Sequence, residues 1–212
     1  MNAQRSLSLR FVLGLLALAG LGLAGCSVLP APPADPTRYF VLTGPSLNDE
    51  GVRNFGGTLK VGLKAVDIAP YLRKPTIAVR RGTHEVIYDD YIRWAEPLET
   101  GVARIVQARL LAAPGIGRVY LAPLSFDQER DYDVALNLIR CEGVTGGQTV
   151  ARFAATVEVT TSGDNPQVVL RKVFQAPDVE WDGQDYAALA RALSAGVAAM
   201  CEEIVAALPE KK

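Results

Sequence analysis

The chain has 212 residues, in which 22 lysines and arginines oppose 23 aspartates and glutamates for a formal net charge of −1. It has no basic excess and no Lys/Arg run, which argues against a nucleic-acid partner. Without its first 25 residues it keeps 187 (212 − 25), enough for one domain with a hydrophobic core.

The first 25 residues have the layout of an export signal. Arg5 and Arg10 are followed by a run from Phe11 to Ala24 that is almost entirely Leu, Ala, Gly, Val and Phe. This run is too short for a transmembrane helix, which needs about 20 apolar residues. Leu-Ala-Gly at 23–25, followed by Cys26, resembles a bacterial lipobox and predicts cleavage before Cys26 and acylation of its thiol. The alternatives are an ordinary signal peptide or a buried helix with a chance cysteine.

Acylation of Cys26 would hold the chain on a membrane surface. Each buried acyl methylene contributes about 0.8 kcal/mol, so one acyl chain binds marginally and several bind firmly. Ser27 stands where enteric bacteria use Asp as an inner-membrane retention signal, which favours the outer membrane and a periplasmic domain. Residues 26–37 contain four prolines and predict a semi-rigid tether, which would reach about 35 Å as polyproline II. The domain itself is predicted at 38–212.

Alternation of apolar and polar residues predicts the first strands of this domain. Between 58 and 66, apolar side chains alternate with Thr, Lys and Gly, as in a half-buried strand. Gly82-Thr83 predicts the turn of a hairpin between the last two strands of this group. The strands predicted here are 39–42, 58–66, 76–80 and 85–88.

Apolar residues at steps of three and four predict two helices. The first begins at Pro97, where a missing N–H costs nothing, and ends before Pro114-Gly115. The second runs from Asp185 to Leu208, with Asp182 complementing its N-terminal dipole and Pro209 ending it. Between them lie predicted strands at 118–121, 132–141, 148–161 and 167–176, with turns at 143–147 and 162–166. This order predicts an α/β domain in which two main helices cover a mixed sheet.

Residues with the spacing needed for catalysis or cofactor binding are scarce. His84 is the single histidine, in a Gly-Thr-His-Glu turn without Cys or a second His at ligand spacing, so we predict no metal site. Ser125 lacks the context of a nucleophile elbow. Gly115-Ile116-Gly117 lacks the third glycine of a dinucleotide fingerprint, and no Walker lysine follows a glycine-rich loop. We therefore expect no enzyme and no cofactor.

Cys141 and Cys201 remain once Cys26 is acylated. An oxidising compartment favours a disulfide between them. Both also lie in apolar patterns, Cys141 at the end of a strand and Cys201 beside the stripe of the last helix, and free cysteine is among the most buried residue types. The sequence leaves both alternatives open.

One aromatic segment, residues 90–98, lies just before the first helix. Trp94 could pack there as a hydrophobic staple, which is a common role for an aromatic residue near a helix start. The other interpretation is a partner-binding edge formed by Tyr91, Arg93 and Trp94, because these residue types are favoured as interface anchors.

Three motifs together resemble the ABC-type transport auxiliary lipoprotein family, which includes PqiC-like outer-membrane lipoproteins. They are Leu-Arg-Lys-Pro-Thr-Ile-Ala-Val-Arg at 72–80, Tyr88, and Arg-Trp-Ala-Glu-Pro-Leu at 93–98. Tyr-Phe-Val-Leu at 39–42, behind a proline-rich tail, and the closing Ala/Leu helix also match. The resemblance covers nearly all of the chain after Cys26, and its motifs are specific in combination and weak singly.

This resemblance implies a three-layer α/β fold with a mixed sheet, similar to the amino-terminal domain of TolB. It also implies a non-catalytic lipoprotein subunit of a lipid transport system. In such a system an inner-membrane permease and ATPase work with a mammalian-cell-entry-type protein that bridges the periplasm, and the lipoprotein would dock the far end of that bridge. The family has no catalytic residues to carry over, and its position matching Cys141 is often a large apolar residue.

Two other functions remain as alternatives. A lipid-binding periplasmic carrier would need its own apolar cavity of several hundred Å³. A lipid that copurifies with a soluble form lacking Cys26 would favour it. A periplasmic hydrolase would at minimum lose its activity when His84 is mutated.

Overall fold

The structure is a computed structural model that describes residues 33–45 and 57–208. The predicted signal segment, Cys26 and the first part of the tether lie outside the described residues. All strands and helices named below belong to the unit that begins at Thr37.

The predicted α/β fold, with a mixed sheet and two main helices, is confirmed. A short 3₁₀ helix, Pro70–Arg73, precedes the hairpin. The other elements in chain order are β1 (Arg38–Phe40), β2 (Leu59–Leu63), β3 (Asp67–Ile68), β4 (Thr76–Arg81), β5 (Glu85–Trp94), α1 (Leu98–Ala112), β6 (Ile116–Leu121), β7 (Tyr132–Thr145), β8 (Val150–Thr161), β9 (Val168–Gln175), β10 (Val179–Glu180) and α2 (Tyr186–Ala207).

The long strand β7 is the centre of the sheet. Along one side it pairs in parallel with β2, then β3, then β4, and along the other side it pairs antiparallel with β8. The sheet extends from β4 to β5 and then β1, from β2 to β6, and from β8 to β9 and β10. Period-two alternation buries Val134, Leu136 and Leu138 on one face and exposes Asn137 and Ile139 on the other.

Both helices contribute their apolar stripes to one hydrophobic cluster with the sheet, and they also contact each other. Helix α1 begins at Leu98, one residue later than predicted, and Pro97 is its N-cap. The carbonyl oxygen of Pro97 accepts the N–H groups of Thr100 and Gly101. Asp185 caps α2, because its Oδ1 accepts the N–H groups of residues 187 and 188 at 2.9 and 3.1 Å. The stripe predicted for α2 is buried, and its fully buried members are Leu189, Leu193, Val197, Met200 and Ile204.

The structure corrects two predicted boundaries. Strand β5 continues to Trp94, because β1 pairs with its last three residues. Strand β7 passes through Gly143 to Thr145, so the turn predicted at 143–147 is shorter, because β4 and β8 both pair with this part of the strand. Gly143 does not end the strand. It allows the Trp181 ring to lie close to the backbone of β7, since a Cβ at this position would be 2.6 Å from Cζ3 of Trp181.

Candidate functional site

The aromatic segment before α1 is divided between two faces of β5. Side chains alternate along a strand, so Tyr91 and Arg93 lie on one face and Trp94 on the other. Tyr91 is 54% exposed, whereas Trp94 is 6% exposed and packs in the hydrophobic cluster. The structure therefore gives Trp94 the packing role that the sequence had left as one alternative, and keeps Tyr91 and Arg93 together at the surface.

Tyr39 joins these two residues in an exposed patch. Strand β1 runs parallel to β5 and pairs Tyr39, which is 61% exposed, with Arg93. We call Tyr39, Tyr91 and Arg93 the β1–β5 patch. Arg93 Nε donates to the carbonyl oxygen of Asp90 at 2.7 Å, and Tyr91 N–H donates to Oδ1 of Asp89 at 2.9 Å. Among the described residues β1 pairs with β5 alone, so the patch lies at an edge of the sheet.

A second feature, the Trp94 notch, lies where β5 leads into α1. It is a recess of about 280 Å³ lined by residues 73–75 and 94–98. The backbone N–H of Trp94 donates to the carbonyl oxygen of Pro75 at 2.8 Å, and this bond joins the two lining segments. The notch thus combines parts of two of the three motifs that carry the family resemblance, although they are about twenty residues apart in the chain.

The charges that line the notch are mostly positive. Arg73 and Lys74 are exposed, and neither forms an ion pair with another described residue. Lys74 Nζ lies 4.2 Å from the centroid of the Tyr88 ring, which holds the ammonium group without neutralising it. Glu96 is the only carboxylate among the lining residues, and Arg104 Nη2 donates to its Oε1 at 2.6 Å.

Glu142, on β7, is a fully buried charge with two guanidinium partners. Arg80 donates to both of its carboxylate oxygens at 2.8 and 3.2 Å, and Arg140 Nη1 donates to Oε1 at 3.0 Å. The Tyr71 ring lies 5.2 Å from the Arg80 guanidinium, and burial raises the pKa of Tyr71 to about 12. The hydrogen bond to Glu142 raises the pKa of Arg80 above its usual value. Because Glu142 is paired with both arginines, the cluster offers no free base for catalysis.

Cys141 and Cys201 are free, buried thiols on β7 and α2. Cys201 borders a groove with Ala112 and Ala113, at the end of α1 and close to the starts of β2 and β6. Cys141 pairs with Phe153 of β8, and the Phe153 side chain lies against Gly196, five residues before Cys201 on α2. The two thiols are not joined in the structure, and burial raises the pKa of both, that of Cys201 to about 12.

Two grooves border α1, and both are open to solvent. One, of about 320 Å³, lies between the C-terminal turns of the two helices and has mostly apolar walls. Arg109 lines it, and its buried Nε has no hydrogen-bond partner among the described residues. The other groove, of about 410 Å³, lies between α1 and the carboxyl ends of β2 and β6. Both volumes fall in the lower part of the range for ligand sites.

The remaining residues that the sequence considered for chemistry are separate from these features. His84 is exposed in the turn between β4 and β5, and Ser125 lies in another turn, where its carbonyl oxygen accepts the N–H of Gln128. Within residues 33–45 and 57–208, no group of three or more His, Cys, Asp or Glu side chains is arranged to hold a metal ion. No helix in this described part has the length and apolar character needed to cross a membrane.

A family model described as ABC-type transport auxiliary lipoprotein component matches residues 40–205. Two crystal structures have a similar fold. A Xanthomonas campestris protein of the DUF330 family is 19% identical, with a TM-score of 0.63, and the match covers 80% of this chain and 93% of that one. An uncharacterized protein is 17% identical, with a TM-score of 0.61, and the match covers 80% of this chain and 97% of that one. No curated protein matches the chain.

Proposed function

The chain belongs to the family of ABC-type transport auxiliary lipoprotein components, and from this premise we propose that it is a lipid-anchored, non-catalytic subunit of an intermembrane lipid transport system. It resides on the periplasmic face of the outer membrane and docks the far end of a mammalian-cell-entry-type protein there. The observation that carries the docking role is the β1–β5 patch, where two exposed tyrosines flank an arginine at an edge of the sheet.

The anchor in this proposal is Cys26, on which several acyl chains would hold the protein firmly at the membrane. Intact-mass measurement on native protein should find a chain that begins at Cys26 and carries added fatty mass. Cys26→Ser should move the protein into the soluble periplasmic fraction. A native chain that keeps its first 25 residues, or is cut there without fatty mass, would contradict the anchor.

The β1–β5 patch has the composition of an interface anchor. Tyr and Arg are enriched among the residues that contribute most to binding, because they present large and partly rigid surfaces with polar ends. Tyr39 and Tyr91 are each more than half exposed, and a partner that covered them would bury much of both rings. Before binding, a hydrogen bond to the Asp90 carbonyl oxygen restrains the Arg93 guanidinium, and one to the Asp89 side chain restrains the Tyr91 backbone.

Recovery of the partner from mild detergent extracts tests this role. We expect the full-length protein to capture a mammalian-cell-entry-type protein, and the double variant Tyr39→Ser, Tyr91→Ser to capture much less. Phe126→Ser is the matched control, because Phe126 is a fully exposed aromatic residue outside the patch, on the loop between β6 and β7. Wild-type protein that captures no such partner would refute the docking role, and equal losses for the control would refute the assignment of the patch.

The groove at Arg109 favours a second function, that of a carrier with its own acyl-chain site. Its walls are mostly apolar, and an anionic head group would supply the partner that the buried Nε of Arg109 lacks. In a soluble Cys26→Ser form, a bound lipid should copurify and be detected by mass spectrometry after extraction. Ala206→Trp, an exposed lining position, should displace that lipid by filling the groove. Absence of lipid from the soluble form would exclude the carrier.

A further inference from the structure

The walls of the Trp94 notch are fixed before any partner arrives. The 3₁₀ helix ends at Arg73. The next residue, Lys74, has an extended backbone at φ −69° and ψ 146° and leads into Pro75. The hydrogen bond from the backbone N–H of Trp94 to the Pro75 carbonyl oxygen attaches this segment to the end of β5. Pro75 restricts its own backbone, and the hydrogen bond restrains the segment around it. A ligand would therefore not lose binding free energy by ordering the recess.

The electrostatic field in the notch favours an anion. Arg73 and Lys74 are two cations without an ion-pair partner in the described part of the chain. The single carboxylate of the lining, on Glu96, is paired with Arg104, which also donates to the carbonyl oxygen of Leu42 at 2.9 Å. The charge of Glu96 is therefore already compensated, and the residues that line the recess keep a net positive charge.

The apolar part of the lining strengthens this field. Trp94 and Leu98 are almost completely buried, and Pro75 and Pro97 contribute further apolar surface. Charges beside low-dielectric walls interact more strongly than charges surrounded by water, and a concave wall concentrates their potential. A small anionic group, such as a carboxylate, fits these dimensions and this charge.

We propose that the Trp94 notch receives a Glu or Asp side chain from an acidic segment of the partner polypeptide. This inference rests on the proposed docking function and adds the chemistry of the partner at a second contact, separate from the β1–β5 patch. The Arg73 guanidinium and the Lys74 ammonium pair with the incoming carboxylate, and the indole of Trp94 and the two prolines contact its methylene groups. The contact predicts association that weakens as salt is added.

A direct binding measurement tests the chemistry without requiring the partner. The full-length acylated protein in nonionic detergent is titrated with N-acetylated, C-amidated hexaglutamate at low salt, and binding is followed by calorimetry and by tryptophan emission. Arg73→Glu with Lys74→Glu should weaken binding about tenfold, because each exposed ion pair contributes a few-fold. The same double variant should instead bind hexalysine. Both residues are exposed, so circular dichroism should find the fold unchanged.

The matched control is Lys64→Glu with Arg118→Glu, which changes the net charge equally at two exposed positions outside the notch. It should bind hexaglutamate as tightly as the wild type does. Three results would each overturn the inference. They are no hexaglutamate binding to the wild type, equal weakening in the control variant, and binding of inorganic phosphate as tight as that of hexaglutamate.

Capture of the mammalian-cell-entry-type partner separates this inference from the proposed function. If the wild type captures the partner and Arg73→Glu with Lys74→Glu captures it equally well, the notch inference fails and the docking function stands. If the wild type binds hexaglutamate but captures no such partner, the docking function fails and the notch remains a site for acidic polypeptide. If the notch variant alone loses the partner, both are supported.

Discussion

Glu142 offers a direct test of how the structure compensates a buried charge. Its side chain is 0% exposed and accepts hydrogen bonds from Arg80 and Arg140. In Glu142→Gln the side chain keeps its size and one oxygen acceptor but loses its charge. Two arginines would then face a neutral amide in a setting from which much of the water is excluded.

The expected loss follows from the burial of the partners. Removing one member of a buried ion pair costs about 3–5 kcal/mol, because the other charge is left uncompensated. The Arg80 side chain is 17% exposed and that of Arg140 is 39% exposed, so water partly solvates both groups. We therefore expect the lower end of the range, about 3 kcal/mol. With a urea m-value of about 2 kcal/mol/M, the unfolding midpoint should fall by about 1.5 M.

The assay is urea unfolding of a soluble form beginning at Ser27, followed by circular dichroism at pH 7. Glu158→Gln is the matched control, because Glu158 pairs with Arg171 near the surface, where an ion pair contributes little. Its midpoint should stay close to that of the wild type. The double variant Arg80→Met, Glu142→Leu should recover much of the lost stability, since it leaves no buried charge unpaired.

Two results would refute this reasoning. A Glu142→Gln midpoint within about 0.5 M of the wild type, which corresponds to about 1 kcal/mol, would mean that the arginines do not need this carboxylate. A double variant as unstable as Glu142→Gln would place the effect in packing instead of charge.

Three further predictions concern single positions and use the same urea assay. Gly196→Ala should lower the free energy of unfolding by about 1–2 kcal/mol, because a Cβ would lie 2.7 Å from the β8 side chain opposite it, more than offsetting the better helix propensity. Asp185→Ala should cost about 1 kcal/mol through loss of the α2 cap. Asp178→Asn should cost at most about 1 kcal/mol at pH 7, and its deficit should shrink below about pH 4.

Each of these predictions has its own check. Gly101→Ala, also in a helix, should be neutral or stabilising, because its Cβ would meet only the flexible end of Glu96 at 3.1 Å. Asp185→Asn should retain the cap. The hydrogen bond from Arg152 lowers the pKa of Asp178 below 3.8, so its stabilisation is complete above that value and is lost as pH falls through the lowered pKa. A deficit in Asp178→Asn that stayed constant down to pH 2 would contradict this sign.

Local patterns were sufficient to predict most of the secondary structure. The stripe of α2 repeats every three to four residues and its cap is a single aspartate, so both are visible within one short window. The hairpin of β4 and β5 is equally local, because its turn is marked by Gly82. Strands β3 and β10 are two residues each, too short to produce a period, and they form because β7 and β8 supply a neighbouring edge.

The candidate sites depended on contacts that no window of sequence contains. Tyr39 lies beside Arg93 only because β1 pairs in parallel with β5, more than fifty residues away. The sequence grouped Trp94 with Tyr91 and Arg93, whereas the extension of β5 as a strand placed it on the opposite face.

The sequence by itself predicted the α/β domain and the family, which are confirmed, and an acylated Cys26 and a tether, which stay predictions; each rests on short motifs or on regular periodicity. Tertiary structure alone decided that Glu142 is compensated by Arg80, 62 residues earlier, and that Cys141 and Cys201 are both buried as free thiols. The physical reason is that strand pairing and register bring distant residues together, and register depends on the packing of the whole sheet.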